Sequence, residues 1–556
     1  MFEGTAVGVA ALLGLAGCVV DTLEWEADGS PTLHVLAAPG TVTCCPGCGT
    51  ASVRVRERAA HTAAHLALVP LRVTLHKRVL ACENTACSRT RFVEDPAFAA
   101  PGGRVTLAAL DLVAHLVGDG MFPVSTVARW AGIAWHTVHD AFVALAQKEG
   151  IHTGDPAEVG EALAAVLADA TATDPGLTDD PDDPDDGDDP DGEPTDDLLA
   201  NRRAAGWDAD ATDASTLLSG PPVAESDPTV KQPDAAPAQV AAPRRFQAVF
   251  GILPDIRVLG IDDHCRGRPR WHRDPVTGTS VQDADRWTTS FYDSTGGNGL
   301  LGAVETRKKA PAVAWILAQP AEWRARIQCV TTDLSNTYRA VARAALPDAI
   351  VIADLFHVAQ LIVKMVADVR RRVSRQVRRR RGRATDPEYR YKNLFGYGPL
   401  RLSERGLKKI HEVLALLAEH DPDAAHDLRV TWTAAQHLLR LLALAPSRTG
   451  RATTRTDISR GLYRFFDHVA TFGRDVPELV TAAETIDQWR DEITAGVLTG
   501  ITNAAAEGIN RLTKLIYRVG FGMTNVADQQ RRARYTASRA ARAPWRPTVT
   551  APTITA

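Results

Sequence analysis

No stretch of the 556-residue sequence stays apolar over the roughly 20 residues that a membrane-spanning helix needs. The nearest approach is AVGVAALLGLAGC at 6–18, which ends like a lipoprotein cleavage box. However, no Lys or Arg precedes this run, and Glu3 stands where a signal peptide needs positive charge. We therefore expect a cytoplasmic protein that has no membrane partner.

Lysine is also scarce, so the basic residues are nearly all arginine, and charges of opposite sign are kept apart along the chain. The formal net charge is only −4, but a dense aspartate block occupies 178–197, a dense arginine block occupies 369–383, and 511–546 is basic as well. Such segregation is typical of a protein that binds a polyanion and carries a separate acidic linker. The arginine block has two interpretations: a phosphate-binding face or the solvated end of a helix.

Cysteine is limited to eight residues, and two short paired spacings among them favour metal binding over disulfide bonds. Cys45 and Cys48 are separated by two residues, and Cys82 and Cys87 by four. Four thiolates can close a tetrahedral zinc site that leaves no position open for a substrate, so we expect a structural zinc ribbon. Cys44 could replace Cys45, although Cys-Pro-Gly-Cys gives the usual knuckle turn. The alternative is that these thiols bind no metal.

The composition, 45% hydrophobic and 23% charged, is typical of globular domains, and the chain is too long for one core. Strand-like, helical and alternating patterns follow one another, which predicts a multidomain α/β protein. The predicted segments are a zinc-binding domain at 1–100, a helical domain at 101–150, an acidic disordered linker at 151–245, an α/β core at 246–395, a helical segment at 396–500, and a last core helix with a basic tail at 501–556.

Residues 124–142, VSTVARWAGIAWHTVHDAF, predict a helix, a turn at Gly132 and a second helix that starts near Ala134. This is the outline of a helix-turn-helix, whose second helix lies in the major groove of DNA. Trp135, His136 and His139 would then lie near the exposed N-terminal face of that helix and contact DNA. An ordinary helical hairpin is the alternative that the pattern leaves open.

Three apolar, strand-like runs each end in an aspartate: Asp262 in RVLGID, Asp333 in IQCVTTD and Asp354 in AIVIAD. Ligand sites of α/β folds lie at the carboxyl ends of strands, and clustered carboxylates there call for hard divalent cations. Helix capping is the alternative for Asp333 and Asp354, because a helical pattern follows each of them. No helical pattern follows Asp262.

Residues 502–518, TNAAAEGINRLTKLIYR, predict a helix that Thr502 or Asn503 could cap. Helical spacing puts Glu507 on one face with a set of polar and basic residues. That set is Asn510, Arg511, Lys514 and Arg518. A carboxylate followed by a basic stripe suits a site where a metal ion meets a phosphate backbone, whereas a solvated amphipathic helix is the alternative.

Together these motifs resemble the ISL3 family of bacterial insertion-sequence transposases. The similar motifs are LLGLAGCVV with CPGCG and CENTACSRTRF, then GIDD, TTDLSNTY, ADLFHV and TNAAAEGINRLTKLIYRVGFGM. The resemblance covers most of the chain outside the acidic linker. It departs from the family pattern at Leu355, where arginine is usual, and in an insertion at 266–287.

The resemblance implies a ribonuclease-H-like catalytic core with an all-helical insertion, preceded by the zinc ribbon and the helix-turn-helix. It implies that Asp262, Asp333 and Glu507 are the catalytic acids, and that Asp354 and His357 accompany the site. The family motif selects Asp262 over Asp263, which we expect beyond the strand's end, bonded to a backbone N–H or facing solvent. Gly260 would leave room for a close approach on the Asp262 face.

The implied activity is metal-dependent cleavage and strand transfer of DNA, with two Mg²⁺ or Mn²⁺ ions at the three acids and Zn²⁺ at the cysteines. The partners would be double-stranded DNA with terminal inverted repeats, target DNA and a second copy of the chain, in the bacterial nucleoid. Arg511, Lys514 and Arg518 would contact DNA. The alternative is a DNA-binding regulator, derived from a transposase, that no longer cuts.

Overall fold

The protein is represented by a computed structural model. It describes residues 9–542 except 16, 28, 39–40, 67–69, 95–98, 101–102, 153–155, 174–244, 249–250, 266–269, 275–276, 285–286, 296, 522 and 524. The aspartate block at 178–197 and most of the predicted linker lie outside the described residues, and so does the tail from 543. No described helix combines the length and the apolar character that crossing a membrane requires.

The chain divides into two compact units, the first made of Met1–Gly154 and Leu512–Ala556, the second of Asp155–Arg511. The described residues from Leu512 onwards therefore belong to the same compact unit as those up to Gly154. Up to residue 154 the elements are β1 (Cys18–Trp25), β2 (Pro31–Ala37), β3 (Thr43–Cys44), β4 (Ala51–Ser52), β5 (Val55–Leu66), β6 (Pro70–Ala81), β7 (Arg91–Val93), α1 (Leu107–Gly118), α2 (Val124–Ala131) and α3 (Trp135–Lys148).

The second unit begins with a helix inside the range predicted as linker, and then alternates strands with helices before becoming entirely helical. Its first elements are α4 (Pro156–Thr173), β8 (Arg245–Ala248), β9 (Gly251–Pro254), β10 (Val258–Cys265), β11 (Arg270–Arg273), β12 (Ser280–Ala284), β13 (Trp287–Asp293), β14 (Leu300–Val304), α5 (Lys309–Leu317), α6 (Ala321–Arg324), β15 (Cys329–Thr332), α7 (Asn336–Ala345), β16 (Ile350–Ala353) and α8 (Leu355–Arg378).

The remaining elements are helices, of which α17 crosses the boundary between the units. They are α9 (Pro387–Arg390), α10 (Lys392–Phe395), α11 (Glu404–His420), α12 (Pro422–Leu442), α13 (Pro446–Thr449), α14 (Arg455–Phe472), α15 (Pro477–Gln488), α16 (Arg490–Thr499), α17 (Ala504–Val519) and α18 (Val526–Ala537), followed by a 3₁₀ turn at Arg539–Ala541.

In the first unit, a sheet of order β1-β2-β6-β5, with β7 also paired to β6, precedes the three helices. The two long strands β5 and β6 pair antiparallel along their whole length. Helix α18 packs with α1 and α3, where Tyr535 is buried among their apolar side chains. Arg532 of α18 donates to the backbone carbonyls of Val117 and Phe122. The last described helix is therefore part of the helical domain predicted at 101–150.

In the second unit, a five-stranded sheet has the order β14-β13-β10-β15-β16. The first three strands in sequence, β10, β13 and β14, pair antiparallel, and β15 and β16 then add in parallel on the other side of β10. Parallel pairing requires crossovers, which α5 to α7 supply. The insertion at 266–287 forms the β11–β12 hairpin in its described residues.

Two large hydrophobic cores lie among the described residues of the second unit. One lies between the sheet and α5 and α7, and Leu163 and Ala170 of α4 pack against it, so the predicted linker range starts with a docked helix rather than irregular chain. The other lies among α8 and the helices of 404–499. Because α8 runs from the end of β16 into that second core, the helical segment is built directly on the sheet that carries the acids.

Candidate functional site

The four predicted cysteine ligands come together in the first unit. Cys45 and Cys48 lie in the turn between β3 and β4, while Cys82 follows β6 and Cys87 precedes β7. Their sulfur atoms all lie within 4.8 Å of one another, which makes the group a candidate metal centre. Cys44 is exposed on β3 and is not in the group, whereas Cys45 is.

The spacing of the sulfur atoms fits a tetrahedral zinc ion. The Sγ atoms of Cys45 and Cys87 are 3.9 Å apart, and those of Cys48 and Cys82 are 3.6 Å apart. Zinc–sulfur bonds of about 2.3 Å in a tetrahedron put sulfur atoms roughly 3.8 Å apart. Hydrogen bonding to Thr50 lowers the pKa of the Cys48 thiol to about 6. At Cys82 and Cys87, backbone hydrogen bonds act to lower the pKa, but burial and the neighbouring thiols outweigh them and raise it, so a cation would be needed to hold all of these thiols as thiolates.

The three aspartates that were predicted at strand ends form a row across the second unit's sheet. Strand β10 pairs in parallel with β15 up to Gly260 and Thr331, and β15 pairs with β16 up to Thr332 and Ala353. Continuing the same registers places Asp262 beside Asp333, and Asp333 beside Asp354. Asp333 and Asp354 come directly after the ends of the parallel strands β15 and β16, whereas Asp262 lies within β10, which continues to Cys265.

The row is electrostatically coupled. Burial raises the pKa of Asp262 well above its usual value, and the charges of Asp333 and Asp263 raise it further. Burial likewise raises the pKa of Asp333 to about 6, although His357 acts to lower it. Neighbouring carboxylates that resist ionisation together are what a divalent cation would neutralise.

The two possible helix caps have different outcomes. Asp354 caps α8 by accepting a hydrogen bond from the Phe356 backbone N–H, at 3.2 Å. Asp333 does not cap α7, because the Ser335 side chain does so. Asp333 instead accepts a hydrogen bond from the adjacent Thr332 hydroxyl, at 3.3 Å, and is partly exposed. Its carboxylate is therefore available for a role other than capping.

Asp263 does not lie where the sequence suggested. Strand β10 continues to Cys265, so Asp263 is inside the strand, and its side chain is only 10% exposed. Its Oδ2 accepts hydrogen bonds from Arg307 Nε at 2.9 Å and from the Tyr338 hydroxyl at 3.0 Å. Asp263 was expected to bond a backbone N–H or to face solvent, but it forms a largely buried ion pair with Arg307. The prediction for Asp263 was wrong because β10 does not end at Asp262 but continues to Cys265, after which the insertion begins.

Helix α17 brings a second set of side chains to Asp262. Asn510 is buried, and its Nδ2 donates to Asp262 Oδ2 at 2.9 Å. Glu507, one turn earlier on α17, is 39% exposed, and its Oε1 lies 2.6 Å from Arg511 Nη2. The charge of Glu507 contributes to the raised pKa of Asp354, for which burial is the leading cause.

No three carboxylates of the described residues bring oxygen atoms within 4.8 Å of one another; the cysteine group alone meets that distance there. Asp262 and Asp333 are adjacent in the row, while Glu507 is held towards Arg511. Oxygen donors of this kind suit Mg²⁺ or Mn²⁺.

A buried network behind the acids was not anticipated from the sequence. Asn503, just before α17, accepts hydrogen bonds through Oδ1 from the hydroxyls of Tyr292 and Thr331, at 2.8 and 2.9 Å. Its backbone N–H donates to Asp354 Oδ1 at 3.4 Å. The side chain of Asn503 thus ties the start of α17 to the sheet. The nearest sequence signal was its position ahead of the helix, which had indicated a cap.

Gly260 has a different purpose from the one expected. A Cβ atom there would overlap the ring of Tyr292 and the hydroxyl of Ser294. Tyr292 pairs with Gly260 across the sheet and crosses this space to reach Asn503. The room that glycine leaves is therefore filled by Tyr292 and not by an approaching ligand.

The helix-turn-helix has the bounds that the sequence predicted. Helix α2 ends at Ala131 and is capped by Gly132, which takes a left-handed φ of 65°, and α3 starts at Trp135. Trp135 and His136 are exposed. His139 is 21% exposed, lies parallel to the Trp135 ring, and has its Nε2 3.2 Å from Asp528 Oδ2 of α18. The Nε2 atom of His139 is therefore paired with a carboxylate of the same unit.

The arginine block is partly structural, so neither interpretation holds for all of it. Arg372 lies 2.7 Å from Glu478 and 2.9 Å from Asp427, and Arg378 lies 2.7 Å from Glu388. The pairs of Arg372 join α8 to the helical segment, and the pair of Arg378 joins α8 to α9. The exposed arginines of the block are Arg371, Arg375, Arg379, Arg381 and Arg383. Lys514 and Arg518 of α17 are exposed as well.

Comparison with known proteins gives two matches to family models. A model described as a transposase, of the acidic-triad type and ISL3 family, matches residues 260–533. A model described as the helix-turn-helix domain of transposase family ISL3 matches residues 94–146. The two together cover more than half of the chain. A search of curated proteins finds no match.

Proposed function

Because the chain belongs to the ISL3 family of transposases and contains its DNA-binding helix-turn-helix, we propose that it cleaves DNA at terminal inverted repeats and joins the freed ends to target DNA. The observation that carries this proposal is the row of Asp262 and Asp333 on the neighbouring parallel strands β10 and β15. Asn510 of α17 is hydrogen-bonded to Asp262, and the charge of Glu507 adds to the burial that raises the pKa of Asp354. The proposal goes beyond family membership, since it assigns the reaction to particular residues.

The core is proposed to be ribonuclease-H-like. Three antiparallel strands, two further parallel strands that are each followed by an acid, and Asp262 on the central strand β10 agree with the fold that the family implies. The helices of 404–499 lie between β16 and α17, where the family implies an insertion. Helix α17 then returns to the sheet through Asn503 and Asn510, which supports its role as the last core helix.

Asp262, Asp333 and Glu507 would hold two divalent cations, Mg²⁺ or Mn²⁺. Such ions, when bound, activate the attacking oxygen and stabilise the leaving oxygen of an in-line displacement. The chain's own residues prepare the site: Asn503 and Tyr292 hold α17 against the sheet, and Asp354 anchors α8. Arg511, Lys514 and Arg518, which follow Glu507 on α17, would contact the DNA backbone.

DNA recognition would fall to the first unit. Trp135 and His136 are exposed at the start of α3, the helix expected to enter the major groove. His139 would support Trp135 through its stacked ring more than contact DNA itself. The cysteine group would hold zinc as a structural ion, and two copies of the chain would bring two DNA ends together.

The test is cleavage of a DNA fragment that carries the element's end, followed by joining to a target, in Mg²⁺. Asp262→Asn, Asp333→Asn and Glu507→Gln should each abolish both products while leaving binding to the end intact. Asp348→Asn, which changes an exposed acid of the same unit, is the matched control and should cut normally. Cleavage by the three acid variants would contradict the proposal. A wild-type protein that binds the end but never cuts it would support a regulator instead.

A further inference from the structure

Asn510 is the α17 side chain that bonds directly to the first acid. It is 8% exposed, and its Nδ2 donates to Asp262 Oδ2 at 2.9 Å. The other end of the same amide, Oδ1, is buried and finds no hydrogen-bond partner among the described residues. A buried acceptor is normally satisfied, so an amide oxygen left in this state beside a coupled pair of acids needs a reason.

The amide group offers one. Its carbonyl oxygen and its NH₂ group have nearly the same shape and exchange places when the amide turns over. Next to a bare carboxylate the NH₂ side faces Asp262, because an ionised carboxylate only accepts hydrogen bonds. Next to a cation the preference reverses, because the carbonyl oxygen is the ligand and the NH₂ group is repelled.

Glu507 is less well placed for the same task in this structure. Its carboxylate is 39% exposed and pairs with Arg511. Its negative charge helps to raise the pKa of Asp354, for which burial is the larger cause. Helical spacing puts Asn510 one turn further along α17, on the side that touches Asp262. Helix α17 therefore carries two side chains, one turn apart, whose oxygen atoms could bind a cation. Asn510 is the one that is hydrogen-bonded to the row of acids.

We propose that Asn510 is a cation ligand of this site, and that its amide oxygen joins Asp262 in holding the Mg²⁺ or Mn²⁺ ion. The inference rests on the proposed function, which supplies the cation, and adds a fourth residue to the three acids. It also assigns the buried Oδ1 its partner. The requirement at position 510 is an oxygen atom, not a charge.

The test is Mn²⁺ binding to the full-length, zinc-loaded protein without DNA, followed by electron paramagnetic resonance. The aspartate block at 178–197 also offers carboxylates, so the relevant site is the component that Asp262→Asn removes. Asn510→Leu has a similar volume and no oxygen, whereas Asn510→Asp keeps an oxygen. Gln436→Ala is the matched control: it removes a buried amide, which donates to the Tyr397 carbonyl in the helical segment.

We expect Asn510→Leu to weaken that component at least about ten-fold, and Asn510→Asp and Gln436→Ala to retain it. Circular dichroism checks that each variant is folded, and Asn510→Ala replaces the leucine variant if the latter is not. Unchanged Mn²⁺ affinity in the oxygen-free variant would overturn the assignment, and so would equal losses in the leucine and aspartate variants. If Asp262→Asn and Asp333→Asn remove no Mn²⁺ binding, it is the proposed function that fails.

Discussion

Replacing Tyr535 by alanine should destabilise the helix-turn-helix, although the two are some 400 positions apart in sequence. Tyr535 is 1% exposed, its ring meets Phe142 of α3 edge-on at 5.4 Å between centroids, and its hydroxyl lies 3.3 Å from Asp119. The guanidinium of Arg542 covers its other side at 3.8 Å. The substitution removes all of these contacts and leaves a cavity between α18 and α3.

The expected cost follows from the burial. Truncating a fully buried aromatic side chain to alanine costs about 3–5 kcal/mol, against a total stability of about 5–15 kcal/mol for a domain. For a unit of this size, about 2–4 °C of melting temperature is lost per kcal/mol, so the loss should be roughly 6–20 °C. The second unit does not contain Tyr535, and its transition should stay where it is.

Scanning calorimetry measures the two transitions, and hydrogen exchange localises the change to α1 and α3. Tyr463→Ala is the control, since Tyr463 is 70% exposed on α14 and its loss should change stability by less than about 0.5 kcal/mol. If the tyrosine at 535 can be removed without faster exchange in α1 and α3, then α18 is not a structural part of the DNA-binding domain. The packing argument would then be refuted.

Three further predictions concern other parts of the chain. Gly260→Ala should destabilise the second unit by about 1–3 kcal/mol, because the added Cβ would displace Tyr292 from Asn503. Chemical denaturation measures this change. Gly297→Ala is the control, because a Cβ atom at that position meets open space. The hydrogen bond to Asp528 raises the pKa of His139, so this pair should stabilise the first unit below about pH 6.5 and lose its effect as the pH rises through the raised value. Burial acts to raise the pKa of Asp528, but the interaction with His139 outweighs burial and leaves that pKa lowered. The stabilisation by this pair should therefore persist until acid protonates the Asp528 carboxylate. Melting curves of Asp528→Asn should lack this pH dependence. Finally, Cys82→Ser, or treatment with a strong chelator, should release bound zinc and lower the melting temperature of the first unit. Mass spectrometry measures the zinc content, which Cys44→Ser should leave unchanged.

Much of the local architecture could be predicted because it depends on local sequence. The turn at Gly132 needs a left-handed residue, and the cysteine knuckle at Cys45 and Cys48 needs only its own short spacing. The apolar runs that end in Asp333 and Asp354 likewise predicted the ends of β15 and β16, whereas the end predicted at Asp262 was wrong because β10 continues to Cys265. The helix at Pro156–Thr173 was missed because acidic, alanine-rich sequence has weak apolar periodicity, while a few residues such as Leu163 suffice to dock it.

The sequence by itself determined which residues stand at strand ends and helix starts, because backbone geometry follows from neighbours along the chain. Only the tertiary structure decided what those residues touch. Asp263 meets Arg307, Asn510 meets Asp262, and His139 meets Asp528, across separations that no periodicity can link. A side-chain pattern tells which face of an element is covered, but the covering group comes from elsewhere in the fold, and its chemistry determines whether a carboxylate binds a metal ion, forms an ion pair or caps a helix.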